Sequence, residues 1–208
     1  MKSAFIRAVA LHGFGEYVRS QNGDPVFLMQ SAGIDPSLLD RYEGVMSYNK
    51  GVLLYEQTAK YLNDPDFGLH LALAAVPHFT NFGPVIYAGY MEKTFRSWLA
   101  SMLAYQKDYT DGHVGELIDE PDSGKAIFRL NTTAHTFSLR QAIEMKMAGL
   151  CLLVQQVIPQ DEVKPEIVRF RHPKPESTKL HQSIFNAPIE FGCEHDEIEF
   201  KREWLNIR

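Results

Sequence analysis

The residues with the most chemical promise lie between positions 79 and 109. Phe79, Phe82, Tyr87, Tyr90, Phe95, Trp98, Tyr105 and Tyr109 crowd this stretch, together with the amide of Asn81 and a loop bounded by Gly83. Apolar walls carrying a few polar handles are what a small-molecule pocket needs. The same rings at helical spacing also suit an ordinary core. As a pocket, Phe79, Phe82, Tyr87, Tyr90 and Trp98 would form the walls, with Asn81 or Arg140 as polar anchor. The ligand would be small and largely apolar, and a carboxylate is the group Arg140 would read, because a planar guanidinium bonds both oxygens. The pocket is expected between this aromatic stretch and a long helix at 138–158.

Other chemistry is poorly represented. The eight histidines form no H-x-x-x-H or H-E-x-x-H pair, and no C-x-x-C occurs. Cys193, Glu194, His195 and Asp196 share one tight turn, where side chains alternate faces and do not converge on one ion. Gly115 and Gly124-Lys125 lack the spacing and the following helix of a phosphate loop. No G-x-S-x-G elbow is present. Asp119-Glu120 and Asp161-Glu162 flank turns, and Glu144 and Lys146 are expected to be surface groups. The sequence therefore points to no catalytic residue, no metal and no cofactor. A haem or metal sensor using His70 or His78 stands as an alternative.

Composition narrows the class. The 208 residues are 45% apolar and 23% charged, an ordinary globular mixture. A net charge of −5 with no concentration of Lys and Arg makes the chain a poor DNA binder by itself. The two cysteines, Cys151 and Cys193, suit a reducing compartment. No signal-peptide pattern and no long apolar span appear, so a cytoplasmic location is expected.

Those residues need elements to position them. The 138–158 helix is the organising one. Ser138 and Gln141 make a capping-box start, Leu139, Ile143, Met147, Leu150, Val154 and Val157 recur at helical spacing, and Pro159 stops it. Its middle, MAGLCLLV, is apolar almost all round, which predicts burial on several sides and a core role for Leu150 and Val154. Before it, Asp24-Pro25, Asp35-Pro36 and Asp64-Pro65 mark helix starts. Helices are predicted at 4–19, 25–32, 36–40, 48–62, 65–75, 84–91 and 95–109, with a loop at 76–83, Ser47 and Thr94 as caps and Gly33 as a stop. After Gly112 the period falls to two. Strands are predicted at 114–119 and 125–131 around a Pro121-Asp122-Ser123-Gly124 turn, then at 166–172. A helix at 178–185 and a last hairpin, 189–191 with 197–201, close the chain. The expected fold is α+β: a helical N-terminal half, about 1–110, then an antiparallel sheet of about five strands packed on the long helix, about 111–208, in a single ligand-binding and dimerisation domain. The runner-up, a cupin-like barrel, needs many strands before residue 110.

This order of elements resembles a known family. AGIDPSLL (32–39), YLNDPDFGLHLAL (61–73) and FGPVIYAGYMEKTFRSWLASMLAYQKDY (82–109) are similar to the N-terminal, arabinose-binding-like effector domain of AraC-type transcriptional regulators. VRFRHPKP (168–175), IFNAPIEFG (184–192) and DEIEFKREWL (196–205) are similar to its closing strand–helix–strand signature. The resemblance runs from Ala4 to Leu205 and implies effector binding and dimerisation; it carries no residue-level ligand motif. It also implies a DNA-binding helix-turn-helix domain that these 208 residues do not contain, so DNA would be reached only through such a part. A homodimer is expected, held by the 138–158 or the 178–185 helix, and no membrane partner. A purely structural dimerisation module is the third reading.

Overall fold

The computed structural model describes residues 4–41, 43–82, 91–133, 140–158 and 164–207. The Asp-Pro device works as its chemistry requires. Asp24 accepts the Val26 and Phe27 amides (2.9 and 3.1 Å) and opens the helix Pro25–Ser31 (α2), which closes at Gly33 with φ +69°. Asp35 accepts the Ser37 amide at 2.9 Å and opens a 3-10 turn, Pro36–Leu39. Asp64 accepts the Asp66 amide, the Tyr17 hydroxyl (2.7 Å) and His70 Nδ1 (3.0 Å) just before the helix Phe67–Ala75 (α4). Between them Tyr48–Tyr61 forms α3, with Val52, Tyr55 and Ala59 buried.

The expected helix at 4–19 is instead three pieces. Phe5–Arg7 is a strand (β1) paired antiparallel with Val45–Ser47 (β2), Ala8–Leu11 is a 3-10 turn, and only Phe14–Ser20 is α-helical (α1). Gly13 breaks the run. Its φ is +78°, and a Cβ there would meet the Ala74 backbone at 2.7 Å, so only glycine fits where the chain crosses α4. The expected loop at 76–83 is also more ordered, with 3-10 turns over Val76–Phe82. The 84–91 helix falls mainly on 83–90, outside the described residues.

Phe95–Tyr109 (α5) begins at Thr94 with a reciprocal capping box to Ser97. A five-stranded sheet follows from His113–Glu120 (β3), Lys125–Thr132 (β4), Ile167–Phe170 (β5), Ile189–Phe191 (β6) and Asp196–Lys201 (β7). Its order is β3-β4-β7-β5-β6. The β3–β4 hairpin is as expected, but β6 and β7 form no hairpin. β7 has β4 on one side and β5 on the other, so β6 joins the free edge of β5, in parallel, after a crossover through the helix Lys179–Phe185 (α7). One sheet face, Ala126, Phe128, Leu130, Val168, Phe170, Ile198 and Phe200, is buried. On the other face Glu197 and Glu199 are nearly covered by a ladder of ion pairs with Arg129, Arg169 and Lys125.

The long helix is Arg140–Val157 (α6), and it packs chiefly on α4 and then on α3. Ser138 lies outside the described residues. The Gln141 side chain reaches α4: its Oε1 accepts the Gly68 amide at 2.7 Å and its Nε2 donates to the Pro65 carbonyl at 3.0 Å. Its own amide donates to Glu56 on α3 at 3.0 Å. Gly68 is required because any Cβ would run into the backbone of Gln141. Gly68→Ala should therefore cost about 1–3 kcal/mol through overpacking against a backbone that has nowhere to go, read as a lowered urea midpoint. Met147, fully enclosed on the same helix, should lose about 2–5 kcal/mol as Met147→Ala.

Candidate functional site

A cavity of about 220 Å³ lies between α5, the β3–β4 hairpin and α6, in the expected layer of the molecule. That is roughly seven times a water molecule's share of liquid volume, ~30 Å³, and suits a small organic ligand. α5 contributes Met102, Leu103, Tyr105, Gln106 and Tyr109; α6 contributes Met145, Lys146, Gly149, Leu150 and Leu153. Phe128, Leu130 and His113 form the sheet side, and Phe79 closes one end. A second, smaller cavity of about 40 Å³ continues beyond Phe128 and Leu150, which line both.

The helices leave this space open by their composition. Along α5 the buried positions, Phe95, Trp98 and Leu99, all fall in the first turns. Toward its C-terminal end, Met102, Leu103 and Tyr109 are only half-buried because the cavity lies beneath them. On α6 a Cβ added at Gly149 would meet nothing within 4 Å. A glycine in a helix interior costs about 1 kcal/mol relative to alanine, and here no close packing demands it. The residue keeps a hole open.

The polar handles are Lys146, His113, Gln106 and Tyr109. Lys146 Nζ donates to the Tyr48 hydroxyl at 2.6 Å and lies 4.5 Å from that ring's centre. No carboxylate among the described residues pairs with it. Burial brings its pKa down from 10.5 to about 7. His113, 7% exposed, is held well below its ordinary value by burial and by the neighbouring ammonium, and its Nδ1 has no partner among the described residues. Gln106 is spent locally, donating to the His113 carbonyl at 3.0 Å and accepting the Gly115 amide at 2.9 Å.

The residues nominated from sequence are scattered. Phe79 lines the cavity. Trp98 is buried in the core, stacked on Phe95 at 5.7 Å, and is not in the cavity wall. Arg140 points to a different centre, bonding Glu144 (2.9 Å) and Asp66 (3.2 Å). The side chains of Asn81 and Phe82, and Tyr87 and Tyr90 entirely, lie outside the described residues. Two expectations about α6 need correction. Leu150 and Val154 pack against the core but are only half-buried, because they also line the cavities. Glu144 and Lys146 are not surface groups: Glu144 is fully buried, bonded to Arg140 (2.9 Å) and His181 Nε2 (2.8 Å) with His172 Nε2 nearby at 3.3 Å but out of hydrogen-bond geometry, while Lys146 faces the cavity. Arg140 is thus part of a buried ion-pair network. Sequence held one signal for Lys146: it is the last charge before the apolar run, one turn from a helix-interior glycine.

Lys146 makes stability depend on pH. The unfolded chain keeps its lysine protonated up to about 10.5, whereas the folded one releases the proton near 7. Between those values the unfolded state binds more protons, so stability from this group rises with pH. Lys146→Met should remove that rise, and denaturant midpoints measured at pH 7 and pH 9.5 should lie closer together than in the wild type.

The sequence model described as the arabinose-binding domain of AraC transcription regulators, N-terminal, matches residues 23–208. A comparison with curated protein sequences finds no match. Among solved structures, the fold is similar to the transcriptional regulator CdpR from Pseudomonas aeruginosa, with a TM-score of 0.56 at 14% identity. The match covers 91% of this chain and 56% of that one, so the chain spans just over half the length of that regulator. At that identity the likeness speaks for the fold; the family match, over most of the chain, speaks for descent. The chain belongs to the arabinose-binding N-terminal domain family of AraC transcription regulators.

Proposed function

We propose that this domain senses a small, largely apolar effector in the cavity between α5, the β3–β4 hairpin and α6, and that occupancy controls DNA binding by a helix-turn-helix part outside these 208 residues. The observation that carries the reading is the cavity itself, kept open by Gly149 and walled by apolar side chains that the fold leaves half-buried. A purely structural module would have little reason to retain it, since filling a hole of this kind usually stabilises. His70 and His78, the residues a haem or metal reading would need, are engaged with Asp64 and Glu16. We assign no catalytic step and no cofactor to the domain, and place it in the cytoplasm; no helix among the described residues is long and apolar enough to cross a membrane.

A thermal-shift screen over a panel of metabolites and lipids tests the effector reading. Ligand at a hundred times its Kd adds about 2.7 kcal/mol, and each kcal/mol moves the midpoint of a domain this size by about 2–4 °C. A hit should therefore raise Tm by several degrees in the wild type and by almost nothing in Gly149→Leu, whose side chain enters open space. A hit unaffected by that substitution would place the effector elsewhere.

Regulators that read paired half-sites act as dimers, and we propose a homodimer here too. The two helices nominated for it spend their apolar residues inward: α7 buries Ile184 and Phe185 and exposes Gln182 and Ser183, and α6 exposes only Gln155 and Gln156 among its described residues. The contact would have to use another surface. Sedimentation at micromolar concentration should show a species near twice 23.7 kDa, and a single monomer peak would end the dimer proposal.

A further inference from the structure

The cavity is apolar along most of its length but not at one end. There Lys146 and His113 both line it, supported from behind by Tyr48, whose ring lies 5.8 Å from that of His113. The ammonium has a phenol as its hydrogen-bond partner and no carboxylate among the described residues. His113 Nδ1 is buried without a partner among those residues. A half-buried cation with no counter-ion and a buried ring nitrogen with no partner are both costly, and one group relieves both: an anion small enough to enter. Phe128 and Leu150 line both this cavity and the smaller one, whose wall adds Phe95, Cys151, Val154 and Trp204, with Gln155 and Lys164 as its polar members.

Resting on the reading of this cavity as the effector site, we propose that the effector is an amphipathic monocarboxylate. Its head group is held by Lys146 Nζ and His113 Nδ1, and its tail passes between Phe128 and Leu150 so that its end reaches the smaller cavity. Lys146, not Arg140, is the anion reader, because Arg140 is already satisfied by Glu144 and Asp66. His113 contributes a hydrogen bond as the neutral Nδ1-protonated tautomer. The smaller cavity, about 40 Å³, has room for little more than the terminal carbon of the tail.

The test uses the 208-residue chain with octanoate and its neutral analogue octanamide, followed by titration calorimetry and by the fluorescence of Trp204 at the tail end. A charge-assisted bond should make octanoate bind at least about tenfold more tightly than octanamide. Lys146→Met should bring octanoate down to the octanamide level. Its melting temperature, read alongside, should be no lower than the wild type's, since a half-buried charge has been removed. Leu150→Phe, which narrows the passage, should weaken octanoate while leaving butyrate unchanged. Equal affinity for acid and amide in the wild type, or a preference that survives Lys146→Met, would overturn the head-group assignment, as would failure of octanoate to bind. If octanamide binds as well as octanoate and Gly149→Leu blocks both, the effector cavity stands and the anion proposal alone falls.

Discussion

The approach of α4 to α6 at Gly68 and Gln141 sets where everything else can lie. Backbone meets backbone there with no side chain between, and Gln141 closes three hydrogen bonds, to Gly68, Pro65 and Glu56. These bonds occupy buried groups at the starts of two helices, where amides lack intrahelical partners. The consequence is geometric. With one flank of α6 locked to the helical half, its other flank is presented to the sheet at a distance that α4 decides, and that distance is too great for side chains to fill. The cavity is what remains.

α6 then divides along its length into two environments. Its first turns carry Arg140 and Glu144 into a buried network with Asp66, His172 and His181, which ties α4, α6 and α7 together. Two residues after Glu144 the helix turns Lys146 into an apolar space with only Tyr48 for company. The first arrangement is charge-paired within the domain, while Glu144 Oε2, His172 Nε2 and His181 Nδ1 keep no hydrogen-bond partner among the described residues. The second is not charge-paired, and a helix-interior glycine beside it adds a further cost. Departures of this kind from an optimal sequence concentrate where a protein does something other than fold. α5 faces the same space and is held firmly at its start, by Arg96 and Arg202 on Asp119 and by the Phe95 amide on the Ile207 carbonyl. Its second half, from Met102 onward, tied to β1 and β3 through Asp108 and Gln106, is the part that lines the cavity.

Local chemistry wrote much of this into the sequence. Asp-Pro pairs opening α2 and the following turn, Thr94 capping α5, the Pro121–Gly124 turn between β3 and β4, and the length of α6 all follow from neighbours a few residues apart. So did the layer in which the cavity lies, because an all-apolar helix beside an aromatic stretch can meet only there. The family resemblance, too, was carried by short motifs in order. Tertiary structure decided the rest. The first segment became a strand because Val45–Ser47 offered it partners, and β6 went to the edge of β5 because β7 had both of its own edges occupied. Glu144 and Lys146 look alike in sequence, two charges at the polar start of a helix, and only packing made one a member of a buried charge network and the other an ammonium in a cavity with a phenol, not a carboxylate, as its partner. Sequence determines what hydrogen bonds and turns a residue can make with its neighbours; which charges lose their water depends on surfaces brought together from across the chain, and no spacing rule reports that.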